Sequence, residues 1–221
     1  MNRYYVTEKL QKGKSILSGA EAHHLTRVMR GKKGDHLELV DGKGTLAQGT
    51  LFSSNKHETI VEITACEKQQ EPAPKIVLAA ALIKQSRLEW LIEKGTELGA
   101  TAFHLFASDH SERQKLSSNH LARLETATIS ALKQCKRLYL PKIEVFSTFP
   151  EAKGKALFGD LDPNAPPLTA AKGNTTIYIG PEGGFSENEL TQLREFATGV
   201  RLSRHVLRAE TAGISALAVL G

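Results

Sequence analysis

Cysteine, nucleotide-binding glycine signatures and long apolar runs are scarce or missing in this sequence of 221 residues. Its two cysteines, Cys66 and Cys135, have no metal-ligand spacing and need no disulfide, so we interpret both as small packed residues. No apolar run is long enough to span a bilayer, and the segment Met1–Tyr5 lacks the apolar core of a signal peptide. We therefore expect a cytoplasmic protein without a membrane partner.

The signatures of three familiar kinds of ligand site are also missing. The chain has no Gly-x-x-x-x-Gly-Lys-Ser/Thr phosphate loop, and its glycine-rich turn Gly180–Gly184 lacks the Gly-x-Gly-x-x-Gly spacing of dinucleotide sites. The pair His23-His24 suggests a metal, but adjacent helical positions point in different directions and no third ligand has a suitable spacing. We expect no nucleoside triphosphate, no dinucleotide and no metal ion.

Positive charge is in excess and is unevenly distributed. The net charge is +5 and the isoelectric point about 9.2, which suits a polyanionic partner. Between residues 12 and 33 the single acid is Glu21, and residues 133–142 contain no acid. A single basic run is ordinarily a solvated helix face, whereas two such runs favour RNA as the binding partner. The basic residues of the two runs are Lys12, Lys14, Arg27, Arg30, Lys32 and Lys33, and Lys133, Lys136, Arg137 and Lys142.

Residues 1–70 have the pattern of a small β-rich domain. His36–Val40 and Glu58–Thr64 alternate in the manner of strands, with Thr45–Phe52 between them. Turn residues separate the three segments. These features predict a compact barrel or sandwich.

A helix is expected ahead of these strands, over residues 22–30. Its apolar side chains should point inward and its arginines toward solvent, as in an amphipathic surface helix. The inner residues are Leu25, Val28 and Met29, and the outer ones are Arg27 and Arg30.

The second part of the chain has a different pattern. Two prolines in Glu71–Pro74 favour an extended linker, and we place a domain boundary there. Beyond it, Ile76–Ile83 is a continuous apolar run typical of a strand buried on both faces. Strands and helices then alternate, and the first helix should begin at a capping box of Ser86 and Glu89. Residues 75–221 are therefore predicted to form an α/β domain with a mostly parallel sheet.

Two unusual loops follow strands near the end of this domain. The first, Gly180–Gly184, joins the buried strand Thr175–Ile179 to a helix with a capping box of Ser186 and Glu189. The second follows the strand Gly199–Ser203 and leads into a short apolar final helix. Glycines let the backbone approach a ligand closely, and the carboxyl ends of neighbouring strands form a crevice where ligands bind. A ligand site between the two loops is expected.

These loops closely resemble those of the RsmE family in the SPOUT superfamily of methyltransferases. The matching segments are Ile179-Gly180-Pro181-Glu182-Gly183-Gly184-Phe185 and Val206-Leu207-Arg208-Ala209-Glu210-Thr211-Ala212, and, in the first domain, residues 23–30, Gly34-Asp35 and Asp41-Gly42. The resemblance implies a trefoil-knotted methyltransferase domain over 75–221 and a PUA-like RNA-binding β-barrel over 1–70. It also implies S-adenosyl-L-methionine as cofactor, methylation of N3 of a specific uridine in 16S ribosomal RNA, the assembled small subunit as the expected substrate form, and a homodimer.

The site residues follow from the resemblance and from the chemistry of this reaction. Uracil N3 carries a weakly acidic proton, so the enzyme must remove that proton or stabilise the anion left on the ring. Arg208 stays protonated and suits the second role, while Glu210 is either the proton acceptor or only a cap of the final helix. The residues expected to bind the cofactor are Ile179, Gly180, Pro181, Glu182, Gly183, Gly184, Leu202, Ser203, Val206, Leu207, Arg208 and Thr211. Those expected to bind RNA are Arg27, Arg30, Lys32, Lys33, Arg113 and Arg137.

Two other functions are compatible with the sequence. Another SPOUT chemistry, such as ribose 2′-O or guanine methylation, would use similar cofactor loops. A non-catalytic RNA-binding assembly protein could keep the fold without the reaction. The position of the methyl group in the product identifies the first alternative, and RNA binding without cofactor binding identifies the second.

Overall fold

The computed structural model describes residues 2–55 and 58–221. They form two compact units: the chain up to Glu71 together with Leu132–Leu140, and Pro72–Ala131 together with Pro141–Gly221. The domain limits expected from the sequence, 1–70 and 75–221, stay a prediction, and the structure adds one difference. The segment Leu132–Leu140 packs with the first unit, because Leu132 and Leu138 share a small apolar cluster with Val40.

The first unit is built on a five-stranded sheet with the strand order β1-β3-β4-β5-β2. Its strands are β1 (Asn2–Tyr5), β2 (Gly13–Leu17), β3 (His36–Val40), β4 (Thr45–Ser54) and β5 (Thr59–Lys68). β1 pairs in parallel with β3, and the other neighbours are antiparallel. The three predicted strands are confirmed. Sequence reasoning missed the edge strands β1 and β2, because neither segment alternates between apolar and polar residues.

The predicted helix before β3 begins and ends earlier than expected and is differently wound. A brief helix, α1 (Gly19–His23), continues as a π-helical turn over His24–Val28. Leu25 is buried as predicted, but Val28 and Met29 are 58% and 44% exposed, so their inward assignment was wrong. The cause is the wider turn: the amide of Met29 bonds to the carbonyl of His24, five residues back, which shifts these side chains off the α-helical inner face.

The second unit is a six-stranded sheet in the order β11-β9-β10-β6-β7-β8, and each neighbouring pair is parallel. The strands are β6 (Ile76–Ala81), β7 (Ala102–Phe106), β8 (Lys142–Phe146), β9 (Lys155–Gly159), β10 (Thr175–Ile179) and β11 (Thr198–Val200). The helices are α2 (Gln85–Glu97), α3 (Ser118–Gln134), α4 (Glu187–Phe196) and α5 (Ala209–Leu220). The predicted α/β class is confirmed, and the trefoil knot stays a prediction.

Helices cover both faces of this sheet. On one face, Leu88 of α2, Leu124 of α3 and Leu217 of α5 pack against strand side chains in the largest apolar cluster. On the other face, Leu193 of α4 packs with Tyr178 and other aromatic residues. All of β6 is buried, as its unbroken apolar run predicted. No helix among residues 2–55 and 58–221 is long and apolar enough to cross a membrane.

The two predicted capping boxes have opposite outcomes. At α4, the Ser186 hydroxyl accepts a bond from the Glu189 amide, and the Glu189 carboxylate accepts one from the Ser186 amide, so the capping box is confirmed. At α2 the prediction was wrong, since Lys84 precedes the helix and no side chain caps it. Glu89 instead accepts a bond from Gln85 and pairs with Arg123.

Candidate functional site

A cavity of about 340 Å³ opens at the carboxyl ends of three neighbouring strands, β11, β9 and β10. Three loops form its walls: one after β9, the glycine loop (Gly180–Phe185) after β10, and the arginine loop (Arg201–Arg208) after β11. The lining residues are Gly159, Asp160, Leu161, Pro163, Ile179, Gly180, Pro181, Glu182, Gly183, Gly184, Phe185, Leu190, Arg201, Leu202, Ser203, Arg204, His205, Val206, Leu207, Ala209 and Ala212. Its position is the crevice where ligands bind in parallel α/β sheets.

The structure brings most of the predicted cofactor residues together. All of them line the cavity except Arg208 and Thr211, which lie on the chain immediately beside lining residues. The loop after β9 adds a third wall, with Asp160 and Leu161 among its residues. That these residues bind a cofactor stays a prediction at this point.

Two positions of the glycine loop favour glycine, Gly184 for its backbone conformation and Gly183 for lack of room. Gly184 has a φ of 73°, in the left-handed region that favours glycine, and its amide bonds to the Pro181 carbonyl at 3.0 Å. A Cβ on Gly183 would lie 3.0 Å from the Cβ of His110. The sequence at this turn therefore follows from its geometry.

The loop that follows β7, which is not one of the three walls, holds the glycine loop in place. His110 Nδ1 lies 3.2 Å from the Gly183 carbonyl oxygen and 3.1 Å from that of Gly184. Because carbonyl oxygens only accept, Nδ1 must carry the proton and donate. Next to it, the Asp109 carboxylate accepts a 2.5 Å bond from the Ser186 hydroxyl. These bonds fix the glycine loop and the start of α4 to one support.

Arg87, on α2, connects the two sides of the site, and sequence reasoning missed it. Its Nη1 lies 2.6 Å from Glu182 Oε1 in the glycine loop, and its Nε lies 3.7 Å from Glu210 Oε1 at the start of α5. One guanidinium thus pairs with a carboxylate from each of the two predicted motifs. Only a weak indication of this role was available: Arg87 lies near the start of α2, which follows β6 closely, and β6 lies beside β10 in the sheet.

The two predicted catalytic residues have different surroundings. Arg208 is exposed, and its carbonyl accepts the first bond of α5, from the Ala212 amide. Glu210 is only 7% exposed and faces Arg87, and its Oε2 atom has no hydrogen-bond partner in the described part of the chain. Neither residue lines the cavity, although Leu207, Ala209 and Ala212 do. The position of Glu210 suits an ion pair better than direct proton exchange with a ligand.

The predicted RNA-binding residues fall into three groups. The first group, which we call the basic turn, consists of four exposed residues within a stretch of seven positions in the first unit: Arg27, Arg30, Lys32 and Lys33. Arg137 belongs to the same unit but is partly buried, and burial lowers the pKa of its guanidinium. Arg113 is exposed and belongs to the second unit, where its Nη1 lies 3.4 Å from His120 Nδ1. The basic turn alone brings several of these residues close together.

Comparison with known proteins gives matches over nearly the whole chain. A family model described as RNA methyltransferase domain matches residues 69–221, and one described as RNA methyltransferase PUA domain matches residues 17–64. The protein named Ribosomal RNA small subunit methyltransferase E from Synechocystis sp. is 32% identical over 96% of this chain and 74% of its own length. The protein of the same name from Mesomycoplasma hyopneumoniae is 30% identical over 97% of this chain and 96% of its own.

A solved structure is similar over the same range. It is the crystal structure of a Ribosomal RNA small subunit methyltransferase E from Neisseria gonorrhoeae bound to S-adenosyl methionine, with a TM-score of 0.88 and 26% identity. The match covers 99% of this chain and 95% of that one.

Proposed function

The chain belongs to the RsmE family of ribosomal RNA small subunit methyltransferases, and from this premise we propose that it methylates 16S ribosomal RNA with S-adenosyl-L-methionine as methyl donor. The observation that carries the proposal is the cavity at the ends of β9, β10 and β11, which the two family-like loops line. The uridine N3 position as target rests on the resemblance of these loops to that family. The assembled small subunit is the substrate form that we propose.

The cavity fits this cofactor in size and in chemistry. Ligand sites of this kind occupy roughly 300–1,000 Å³ and combine apolar walls with a few polar groups. Ile179, Leu202 and Leu207 supply walls suited to a flat heteroaromatic ring, and the backbone of Gly180–Gly184 offers donors and acceptors for its polar edge. When bound, S-adenosyl-L-methionine supplies a methyl group on a positively charged sulfur. The chain's own residues must then align the acceptor and exclude water.

Arg208 is the residue we assign to the uracil anion. Its guanidinium stays protonated, it is exposed beside the cavity, and it stands at the amino end of α5, where the helix dipole adds positive potential. A negative ring with two carbonyl oxygens matches these properties. Glu210 is assigned to holding Arg87 rather than to taking the N3 proton, since its carboxylate is buried and faces that guanidinium. The weakly acidic N3 proton would then pass to solvent water before the methyl group is transferred, and Arg208 would stabilise the anion that remains.

RNA contact is assigned first to the basic turn. Four exposed cations on a short segment suit a phosphate backbone, which gives affinity without reading sequence. Arg113 is assigned to RNA as well, whereas the partial burial of Arg137 favours a structural role. A homodimer in the cytoplasm follows from the family resemblance, and the exposed Trp90 and Val219, on the packed helices α2 and α5, suit such an interface.

Methyl transfer from labelled S-adenosyl-L-methionine is the decisive measurement. Unmodified small ribosomal subunits and naked ribosomal RNA would be tested separately, and the labelled nucleoside identified by mass spectrometry. N3-methyluridine, formed preferentially on the assembled subunit, is the expected result. A methylated ribose or guanine would move the reaction to another SPOUT chemistry. RNA binding with neither cofactor binding nor transfer would make the chain an assembly protein.

A further inference from the structure

Phe52 occupies an irregular position near the end of β4. Leu51 pairs with Val61 and Ser53 pairs with Ile60, so Phe52 is an extra residue between two consecutive positions of β5. Such a bulge redirects a side chain, and bulges are frequent next to functional sites. Leu51 fills the core of the first unit, while Phe52 is outside that core and only half-buried.

Two lysines stand over the ring of Phe52. Lys14 Nζ lies 4.1 Å and Lys33 Nζ 5.5 Å from the ring centre. Lys14 comes from β2 and Lys33 from the basic turn, so distant parts of the sequence bring positive charge to one aromatic ring. Each contact is a cation–π interaction at an exposed site, which is weak enough for a flexible lysine to exchange it for another partner.

The turn that carries Lys33 is fixed to the strand that carries Phe52. The Lys32 amide bonds to Asp35 Oδ2 at 2.7 Å and closes the turn. The Gly34 amide then donates to the Leu51 carbonyl at 2.8 Å, and the Leu51 amide donates to the Asp35 carbonyl at 2.9 Å. The backbone next to Phe52 therefore holds Lys33 near the ring, so the juxtaposition does not depend on the lysine side chain alone.

Two acids lie close to these groups in the sequence or the sheet. Asp35, in the turn that carries Lys33, is occupied with the Lys32 amide. Glu62 is exposed and stands opposite Lys14 in the pairing of β2 with β5. The half-buried ring of Phe52 thus has two cations over it, with the basic turn continuing from Lys33 and Glu62 in register with Lys14.

We propose that Phe52, Lys14 and Lys33 form a stacking site for one unpaired nucleotide of the RNA, with the base on the ring and its flanking phosphates on the two lysines. This inference rests on the proposed function and specifies how the first unit would hold its substrate. A ring with cations beside it matches an unstacked base and its phosphates, because every nucleotide carries a flat ring next to a phosphate, whereas the carboxylates of an acidic peptide would use the lysines alone. Stacking on an aromatic ring tolerates any base, so the site holds RNA without reading its sequence.

Tryptophan fluorescence tests the stacking directly. The full chain carrying Phe52→Trp together with Trp90→Phe would have its single tryptophan at this site. Titration with a short single-stranded oligouridylate should quench its emission, and a duplex RNA of equal charge should quench it far less. Binding of the single strand, measured in parallel by filter retention, without any quenching would overturn the proposal.

Affinity measurements separate stacking from a packing role. Phe52→Leu should weaken single-strand binding about tenfold, while Phe52→Tyr keeps it, with both melting temperatures near that of the unmodified protein. Lys14→Gln should also weaken binding. Lys43→Gln is the matched control and should not weaken binding. This exposed lysine precedes Thr45 at the other end of β4, and Thr45 lies roughly 23 Å from Phe52 along the strand. Equal effects of the Lys14 and Lys43 substitutions would contradict the site.

The methyl-transfer assay separates this inference from the proposed function. Phe52→Leu should raise the KM for the RNA substrate and leave the affinity for S-adenosyl-L-methionine unchanged. Transfer by the unmodified protein with no effect of Phe52→Leu on RNA binding would overturn the stacking site and keep the function. Quenching of the tryptophan emission by the single strand, with no methyl transfer at all, would support the stacking site and contradict the proposed methyltransferase function.

Discussion

The cavity of the second unit and the basic surface of the first, by which we mean the basic turn together with Lys14 and Phe52, are built from different parts of the polypeptide. In the cavity, the backbone of the glycine loop presents its own donors and acceptors, and His110 and Arg87 hold that loop from outside. On the basic surface, exposed side chains are the groups proposed to contact RNA, and each is placed separately by the π-helical turn, the Lys32–Asp35 turn or the bulge at Phe52. A shaped cavity suits one small ligand, whereas separate cations suit a long polyanion.

Arg208→Ala gives the largest effect expected, because it removes the side chain assigned to the developing anion. Methyl transfer should fall by about 10²–10³-fold, as for other losses of a charge-stabilising donor. Binding of S-adenosyl-L-methionine, measured by calorimetry, should change little, because Arg208, although expected from the sequence to bind the cofactor, does not line the cavity. Arg194→Ala on α4 is the control, since Arg194 is exposed and does not line the cavity. Near-normal turnover of the Arg208 variant would remove this residue from the mechanism.

Arg87→Gln tests whether the cavity depends on its support. The substitution breaks the contacts to Glu182 and leaves the buried Glu210 carboxylate without its cation. Removing one partner of a buried pair costs about 3–5 kcal/mol of folding stability, and the partial exposure of Arg87 reduces this cost. Because the glycine loop also loses its contact with α2, we expect cofactor affinity to fall about tenfold. Arg87→Lys should recover part of the lost cofactor affinity.

Arg123→Gln is the matched control for Arg87. It breaks an exposed ion pair with Glu89, on the same helix as Arg87, and surface pairs of this kind contribute little. A double-mutant cycle of Arg87→Gln with Glu182→Gln should show coupling in cofactor affinity. Additive effects would mean that the two residues act independently and that Arg87 does not position the glycine loop.

Replacement of Arg27 and Arg30 by glutamate tests whether the basic turn contacts RNA phosphates. RNA affinity should fall roughly tenfold, and the slope of log affinity against log salt should become shallower by about 1.5, because two phosphate contacts are lost. Cofactor affinity should stay unchanged, since these residues are assigned to RNA alone. A preserved salt slope would show that the basic turn does not contact phosphate.

The sequence predicted the cavity better than the basic surface, and the reason is physical. Ile179–Phe185 combines a buried strand with a glycine turn, so local sequence largely determines its geometry. Its support by His110 and Arg87 depends on the order of strands in the sheet, which local patterns do not specify. The π-helical turn and the bulge at Phe52 each insert one residue into a regular period, and this defeats assignments such as that of Val28 and Met29.

The two capping boxes provide the smallest and most controlled test of such assignments. Both Ser86 and Ser186 precede a glutamate by three residues, but only Ser186 caps a helix. Ser186→Ala should lower the free energy of unfolding by about 1 kcal/mol, measured by urea denaturation, whereas Ser86→Ala should change it by a few tenths at most. Ser186 also donates to Asp109, which supports the glycine loop, so its loss should weaken cofactor binding as well. Equal effects at the two serines would mean that the motif, rather than its placement by the sheet, determines the stability of the helix.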